Sequence, residues 1–287
     1  MNFYLSAVLL GLGFASLALG IFISMRIFNI PDITTDGSFT LGGAVTAVLL
    51  ANQTPLLFIL PLAFASGAVA GAITGFIHTK LKVNALLSGI LVMTALYSVN
   101  LSIMKRSNIP LVNLPNIFSR ISFYNDPTSQ QLFVLVIFSL ALWLIVSWLL
   151  KTDFGLAMRA TGNNENMIRS LGVNTDRMKI IGLALANGLT ALSGFLITQI
   201  QGYADINMGI GIVILGLGSV MIGEIFLKAI RVNNILWHLL AVIAGSILFR
   251  LILAFALTIG IDALYLKLVV AVFVLIVVSI PNLKKVS

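Results

Sequence analysis

The sequence predicts an all-α polytopic membrane protein, with about eight or nine transmembrane helices in a single domain. Three observations predict it. Hydrophobic residues make up 59% of the 287 positions and charged residues only 9%, more apolar surface than a soluble domain of this length needs. The apolar residues fall in long uncharged runs, the signature of helices that satisfy their backbone polar groups inside hydrocarbon. No hydrophilic stretch is long enough to fold on its own. Residues 1–287 therefore read as one membrane domain carrying a polar loop at 151–179.

The elements follow in order. The first run lies near Phe3–Phe28. Up to Met25 it has neither a basic leading region nor a small-residue cleavage site, so it is expected to be a retained helix and not a signal peptide. The second, Ser38–Asn52, is short for a bilayer, carries Gly42 and Gly43, and follows the polar stretch IPDITTDGS. A broken helix fits that composition, since non-helical backbone at membrane depth survives only where protein or a water-filled path covers it. Seven further runs are expected to be helical: Pro55–His78, Val83–Met104, Gln131–Leu150, Lys179–Gln201, Met208–Leu227, Asn234–Thr258 and Tyr265–Ile280. Glycines recur within them, as close packing between helices requires. The stretches PDITTDGSFTLGG and ADINMGIGIVILGLG each place an Asp-Ile pair ahead of a glycine-rich apolar segment. Two halves related by an inverted repeat would leave such an echo.

The net charge of +8 would suit a nucleic-acid partner in a soluble protein. In a membrane protein, basic residues collect on cytoplasmic loops instead. Placing Lys80 and Lys82 inside puts Lys151, Arg159, Arg169, Arg177 and Lys179 inside as well, followed by Lys228, Arg231, Lys284 and Lys285. Only Lys105, Arg106 and Arg120 argue against this. The C-terminus is expected in the cytoplasm. Nine crossings put the N-terminus outside; a re-entrant second segment puts it inside.

The polar segment TGNNENMIRSLG at 161–172 carries the most information. It has the physics of a small capped helix. Asn163 or Asn164 caps the start, Glu165 lies in the first turn, Arg169 lies four residues on, and Gly172 supplies the stop. Met167, Ile168 and Leu171 form one apolar face. A membrane protein that builds a solvated helix with a greasy face offers it to a partner.

No enzyme constellation is present. The chain has no cysteine, no phosphate-cradling Walker sequence and no metal-ligand spacing, so no catalytic or metal residue is expected. His78 and His238 lie near helix ends without acidic partners and read as packing or interfacial residues. Arg250, in SILFRLILAFAL, is open to three readings: a pair with Asp262, a side chain reaching for the surface, or part of a pathway. Glu224 is expected to pair with Lys228 one turn on, or else to face the cytoplasmic coupling region. Asp32 and Asp36 flank the broken-helix candidate as turn and capping residues or as pathway residues. A proton- or sodium-driven carrier needs carboxylates at mid-membrane, and none of the nine acidic residues lies at the centre of a long apolar run. That favours energy arriving from another subunit. An autonomous secondary transporter of a small solute is the alternative.

The stretch 151–194, KTDFGLAMRATGNNENMIRSLGVNTDRMKIIGLALANGLTALSG, resembles the cytoplasmic loop of ABC importer permeases of the branched-chain amino acid/ribose type. Gly155, Arg159, Ala160, Gly162, Asn164 and Gly172 fit the pattern of that family. Val173 replaces its usual isoleucine, and Ile168 stands where alanine is frequent. IPDITTDGSFTLGGAV, LKVNALLSGILVMTALYSVNLSIM and QGYADINMGIGIVILGLGSVMIGE are similar to the amino-acid subgroup paired with binding proteins. The resemblance implies a permease subunit in a bacterial cytoplasmic membrane, two such chains (a homodimer) flanking one path, ATPase subunits below and an extracytoplasmic solute-binding protein above. ATP and Mg would sit on the ATPase, with no cofactor on this chain. The coupling set would be Gly155, Arg159, Gly162, Asn164, Glu165, Met167, Ile168, Arg169, Leu171 and Gly172. The path would be lined by Thr34, Thr35, Asp36, Ser38, Thr40, Asn187 and Ser193. The loop Asn108–Gln130, with Pro110, Pro115 and Pro127, would meet the binding protein. The implied cargo is an amino acid, branched-chain or aromatic, or a similar small solute.

Overall fold

A computed structural model describes residues 3–286 apart from 113, 115, 119–125 and 231–233. The chain begins as one rod, α1 (Phe3–Gly13) running through α2 (Ala15–Ile21) into a π-helical turn, Phe22–Ile27. The widened turn is marked by Phe28 N–H donating five residues back, to the Ile23 carbonyl at 3.2 Å. Then come α3 (Thr34–Ala51), α4 (Leu56–Lys80), α5 (Ala85–Met104), a short strand β1 (Asn108–Pro110) and α6 (Pro127–Lys151). The polar loop holds α7 (Asp153–Asn163) and α8 (Glu165–Ser170). After it follow α9 (Thr175–Gln201), β2 (Tyr203–Asp205), α10 (Ile212–Ile230), α11 (Ile235–Thr258) and α12 (Leu266–Val286).

Each of the nine expected segments is helical. Six helices are long and apolar enough to cross a membrane: Phe3–Ile27, Leu56–Lys80, Ala85–Met104, Pro127–Lys151, Thr175–Gln201 and Ile235–Thr258. Ile212–Leu227 and Leu266–Val277 are shorter apolar helices. Burial separates core from periphery. The apolar windows of Phe3–Ile27 and Thr175–Gln201 are 83% and 78% buried, against 28% for Leu56–Lys80 and for Ala85–Met104. The first rod and α9 therefore form the centre, and α4 and α5 turn Leu62, Val69, Ile73, Leu87 and Leu91 outward, as a lipid-facing surface does.

Helices close on α9 through glycine. A Cβ on Gly42 of α3 would overlap the Ala191 carbonyl oxygen, and one on Gly71 of α4 would overlap that of Leu183. Removing those side chains lets backbones meet without a cavity. The structure differs from the expected broken second helix. Thr34–Ala51 runs without interruption, and Gly42 and Gly43 serve the contact with α9 and its following loop. The non-helical backbone lies ahead of it instead, at residues 28–33. The helix also starts four residues earlier than expected, because Asp32 Oδ1 accepts the Thr34 N–H at 2.9 Å.

Strands β1 and β2 pair antiparallel, Asn108 opposite Asp205 and Pro110 opposite Tyr203. They mark one end of the bundle, the strand end. The loop 151–179 marks the other, where Lys80, Lys82, Lys151, Arg159, Arg169, Arg177 and Lys179 gather, with Arg26 at the end of the π-helical turn.

Candidate functional site

At the loop end, α6 stops at Lys151 and the chain turns at once into α7. The Thr152 hydroxyl accepts the Gly155 N–H at 3.3 Å, the side-chain cap that starts this helix. The sequence pattern reads as loop here. Its signal was three buried positions at helical spacing, Gly155, Met158 and Thr161, amid polar neighbours. Gly155 packs on Leu149 and Leu150, and a Cβ on Gly162 would overlap the Ile27 carbonyl oxygen. Asn29 Nδ2 donates to the Gly162 carbonyl at 3.1 Å. The loop is thus seated on the π-helical end of the central rod.

Helix α8 starts at Glu165 with Asn164 as its cap, whose Oδ1 accepts the Met167 N–H at 3.1 Å. It ends in a Schellman arrangement: Gly172 adopts φ +85°, Gly172 N–H donates to Arg169 and Val173 N–H to Ile168. Its polar side is tied down. Glu165 accepts from Arg169 Nη2 at 2.8 Å, from Lys179 Nζ at 2.5 Å and from the Thr175 hydroxyl at 3.1 Å. The Lys179 ammonium, with Thr175 and Arg169 beside it, holds the Glu165 carboxyl below the usual glutamate range. Asp176 extends the network to α4 through Lys80 at 2.9 Å. The opposite side is free: Met167 is 61% exposed and Leu171 67%, while Ile168 is half-buried. Arg159 is exposed and lines a cavity of about 530 Å³ with Arg26, Asn29, Asn163 and His238.

Six of the seven path candidates lie elsewhere, in the seam where α3 meets α4, α9 and α10, and Ser193 faces α1 from α9. Asn187 joins α9 to α3 and to the segment ahead of it. Its Nδ2 donates to Asp32 Oδ2 at 2.6 Å and to the Leu183 carbonyl, and its Oδ1 accepts the Ser38 hydroxyl at 2.7 Å. The Thr34 and Thr74 hydroxyls stand 2.8 Å apart. The hydroxyls of Thr35 and Thr40 return to the carbonyls of Asp32 and Asp36. Ser193 donates to the Gly13 carbonyl at 2.8 Å, tying α9 to α1. Asp36 takes the N–H groups of Gly211 and Val213 at 2.8 and 2.9 Å. All seven are buried and hydrogen-bonded within this chain.

Several expectations change. Three carboxylates, Asp32, Asp36 and Glu224, are buried, although none sits in mid-run in the sequence. The break ahead of α3 carries the two aspartates into the interior. Glu224 meets Arg26 at 2.5 Å, joining α10 to the π-helical turn; the Lys228 side chain lies outside the described residues. Asp262 Oδ1 caps its own turn by accepting the Leu264 N–H. Arg250 stands 4.0 Å over the ring of Phe14. His78 and His238 bond the carbonyls of Val83 and Asn234 through Nδ1, the packing role expected of them. Of the loop 108–130, Pro115 and Arg120 lie outside the described residues.

Residues 3–279 match the family described as "Branched-chain amino acid transport system / permease component". A tyrosine transport system permease protein of Clostridioides difficile (strain R20291) is 38% identical over 267 residues, 93% of this chain and 87% of the relative. An uncharacterized protein of Rickettsia prowazekii (strain Madrid E) is 37% identical over 280 residues, 97% and 98% of the two chains. A ribose import permease protein of Escherichia coli (strain K12) is 26% identical over 263 residues, 88% of this chain and 78% of the relative. No solved structure matches. With its membrane-length helices and its capped loop helix, the chain belongs to the branched-chain amino acid/ribose-type family of ABC transport permeases.

Proposed function

We propose that this chain is the membrane subunit of an ATP-driven importer for an amino acid, branched-chain or aromatic, in a bacterial cytoplasmic membrane. Two copies flank one path. The loop end faces the cytoplasm, the C-terminus lies there, and the strand end faces a solute-binding protein. Eight or nine crossings, counting α3 and the shorter apolar helices, make one permease domain of residues 1–287. The name of the tyrosine-permease relative supports an amino-acid cargo. The gathering of basic residues at the loop end supports the orientation.

The observation that carries the reading is the two-sidedness of α8. Glu165, Arg169, Lys179 and Thr175 fasten one side to α9, while Met167 and Leu171 stand free. Such a helix transmits displacement: an ATPase that grips Met167, Ile168 and Leu171 moves α8, and the ionic fastening carries the motion into α9. α9 packs on α3, α4 and the central rod through backbone contacts at Gly20, Gly42 and Gly71, so its tilt shifts the bundle between discrete packings. Gly155 and Gly162 keep α7 seated during this motion. ATP and Mg belong to the partner, and this chain contributes no catalytic group. The polar seam from Thr34 to Thr40, with Asn187 and Ser193, is where packing gives way to a path as the helices part.

The test is Arg159→Glu in the host transporter. It should abolish uptake and the stimulation of ATP hydrolysis by loaded binding protein, while the chain still inserts. Uptake that survives the change refutes the coupling assignment.

A further inference from the structure

Toward the strand end lies a cavity of about 350 Å³ that no coupling or packing role explains. It falls within the size range of small-molecule sites. Phe14, Phe39, Ile197, Met208 and Ile212 form its apolar wall, and Arg250, Asp205, Asn207, Gln201 and Tyr203 its polar one. The rings of Phe14 and Phe39 stack 5.8 Å apart and 10° from parallel. The Arg250 guanidinium lies over the outer face of that pair, 4.0 Å from the Phe14 centroid. It is half-buried in a membrane-length helix. Among the described residues no carboxylate pairs with it. A charge held at that depth without a partner marks a functional site. Its planar fork fits one chemistry best, a carboxylate taken bidentately.

The same lining carries the opposite charge. Asp205 Oδ1 accepts the Asn207 N–H at 2.8 Å, which fixes the carboxylate at the cavity's edge with acceptor capacity to spare. A cavity lined by one cation, one anion and apolar side chains complements a zwitterion with an apolar side chain.

We propose that this cavity is a binding site for an α-amino acid on its way into the permease, the carboxylate on Arg250, the ammonium toward Asp205, and the side chain along the apolar lining. Its role in transport rests on the importer reading above; its chemistry does not. Binding here would lend the permease a selectivity of its own, beyond that of the solute-binding protein.

The chain has no cysteine, so Asn207→Cys places a single thiol at the exposed mouth. In cells, an anionic methanethiosulfonate should label it on the order of 10-fold faster than a cationic one, because a fixed cation concentrates anions in a narrow cleft. Arg250→Gln should erase the preference. Millimolar L-tyrosine or L-phenylalanine should slow labelling, whereas tyramine, lacking the carboxylate, and 4-hydroxyphenylpropanoate, lacking the ammonium, should not. Equal labelling by both reagents, or protection by tyramine or D-ribose, overturns the proposal. Uptake of radiolabelled L-tyrosine by the intact transporter separates the two readings. Protection without ATP-dependent uptake sustains the site and removes the importer role. Full uptake by Arg250→Gln, without protection, sustains the importer and removes the site. Arg250→Lys, which keeps the charge and loses the fork, guards against a folding artefact and should retain the reagent preference but lose protection.

Discussion

The carboxylate of Asp36, in the first turn of α3, accepts the N–H of Gly211 at 2.8 Å, 175 residues away at the start of α10. With Val213 N–H on its other oxygen, it caps a helix that has no cap of its own in sequence. The two Asp-Ile segments that echo each other thus meet in space: each leads into a shortened helix, and one supplies the cap of the other. Helix starts inside a bilayer cannot borrow water, so the cap must come from protein.

Asp36→Ala should therefore leave two half-buried donors without their partner, each lost hydrogen bond costing about 1 kcal/mol. The expected outcome is a lower melting temperature of the purified chain in detergent, with Asp36→Asn intermediate because one acceptor oxygen remains. A melting temperature unchanged by Asp36→Ala would show that α10 does not depend on this cap.

Asn187 should behave alike at the neighbouring junction. Asn187→Leu deprives Asp32 of a 2.6 Å donor and Ser38 of its acceptor, and a buried polar group left without its partner costs about 1–3 kcal/mol. A double-mutant cycle with Asp32→Asn checks it: the two substitutions together should cost less than the sum of the single ones.

At the loop end the fastening of α8 has a defined pH behaviour. The Lys179 ammonium holds the Glu165 carboxyl below its ordinary value. The folded state favours the ionised form, so the contribution is complete above the unfolded value of about 4.3 and is lost only as pH falls through the lower folded value. Hydrogen exchange of the α8 amides, corrected for intrinsic rates, should show constant protection from pH 8 down to 5 and a loss below the ordinary glutamate range. Glu165→Gln should lower protection throughout.

Gly162→Ala should uncouple the loop without unfolding the bundle. Its Cβ would overlap the Ile27 carbonyl oxygen, which forces α7 away from the π-helical turn. Uptake should fall at least as far as with Arg159→Glu, at unchanged membrane content of the chain by immunoblot.

How much of this was legible in the sequence follows physical lines. Periodicity and composition located the six membrane-length helices and the two shorter apolar ones. Side-chain chemistry over adjacent residues located α8, because cap, ion pair and stop lie within one another's reach along the chain. What escaped was non-local. Thr152 and the buried trio Gly155, Met158 and Thr161 made a helix of a stretch that reads as loop. Glu224 meets Arg26, which is distant in sequence. The glycine pair that reads as a break in α3 is a contact surface, since α9 supplies the surroundings that make an unbroken helix affordable. Arg250 had three open readings because a sequence cannot say what stands opposite; the Phe14 ring does.

Single thiols at Met167 and Leu171, unique in a chain without cysteine, give the most direct measurement of the central claim. In membranes holding the intact transporter, Met167→Cys and Leu171→Cys should cross-link to the ATPase subunit, with a yield that changes when ATP is added, and should resist membrane-impermeant thiol reagents applied from outside the cell. Labelling of these thiols from outside, or the absence of any ATPase adduct, would contradict the account.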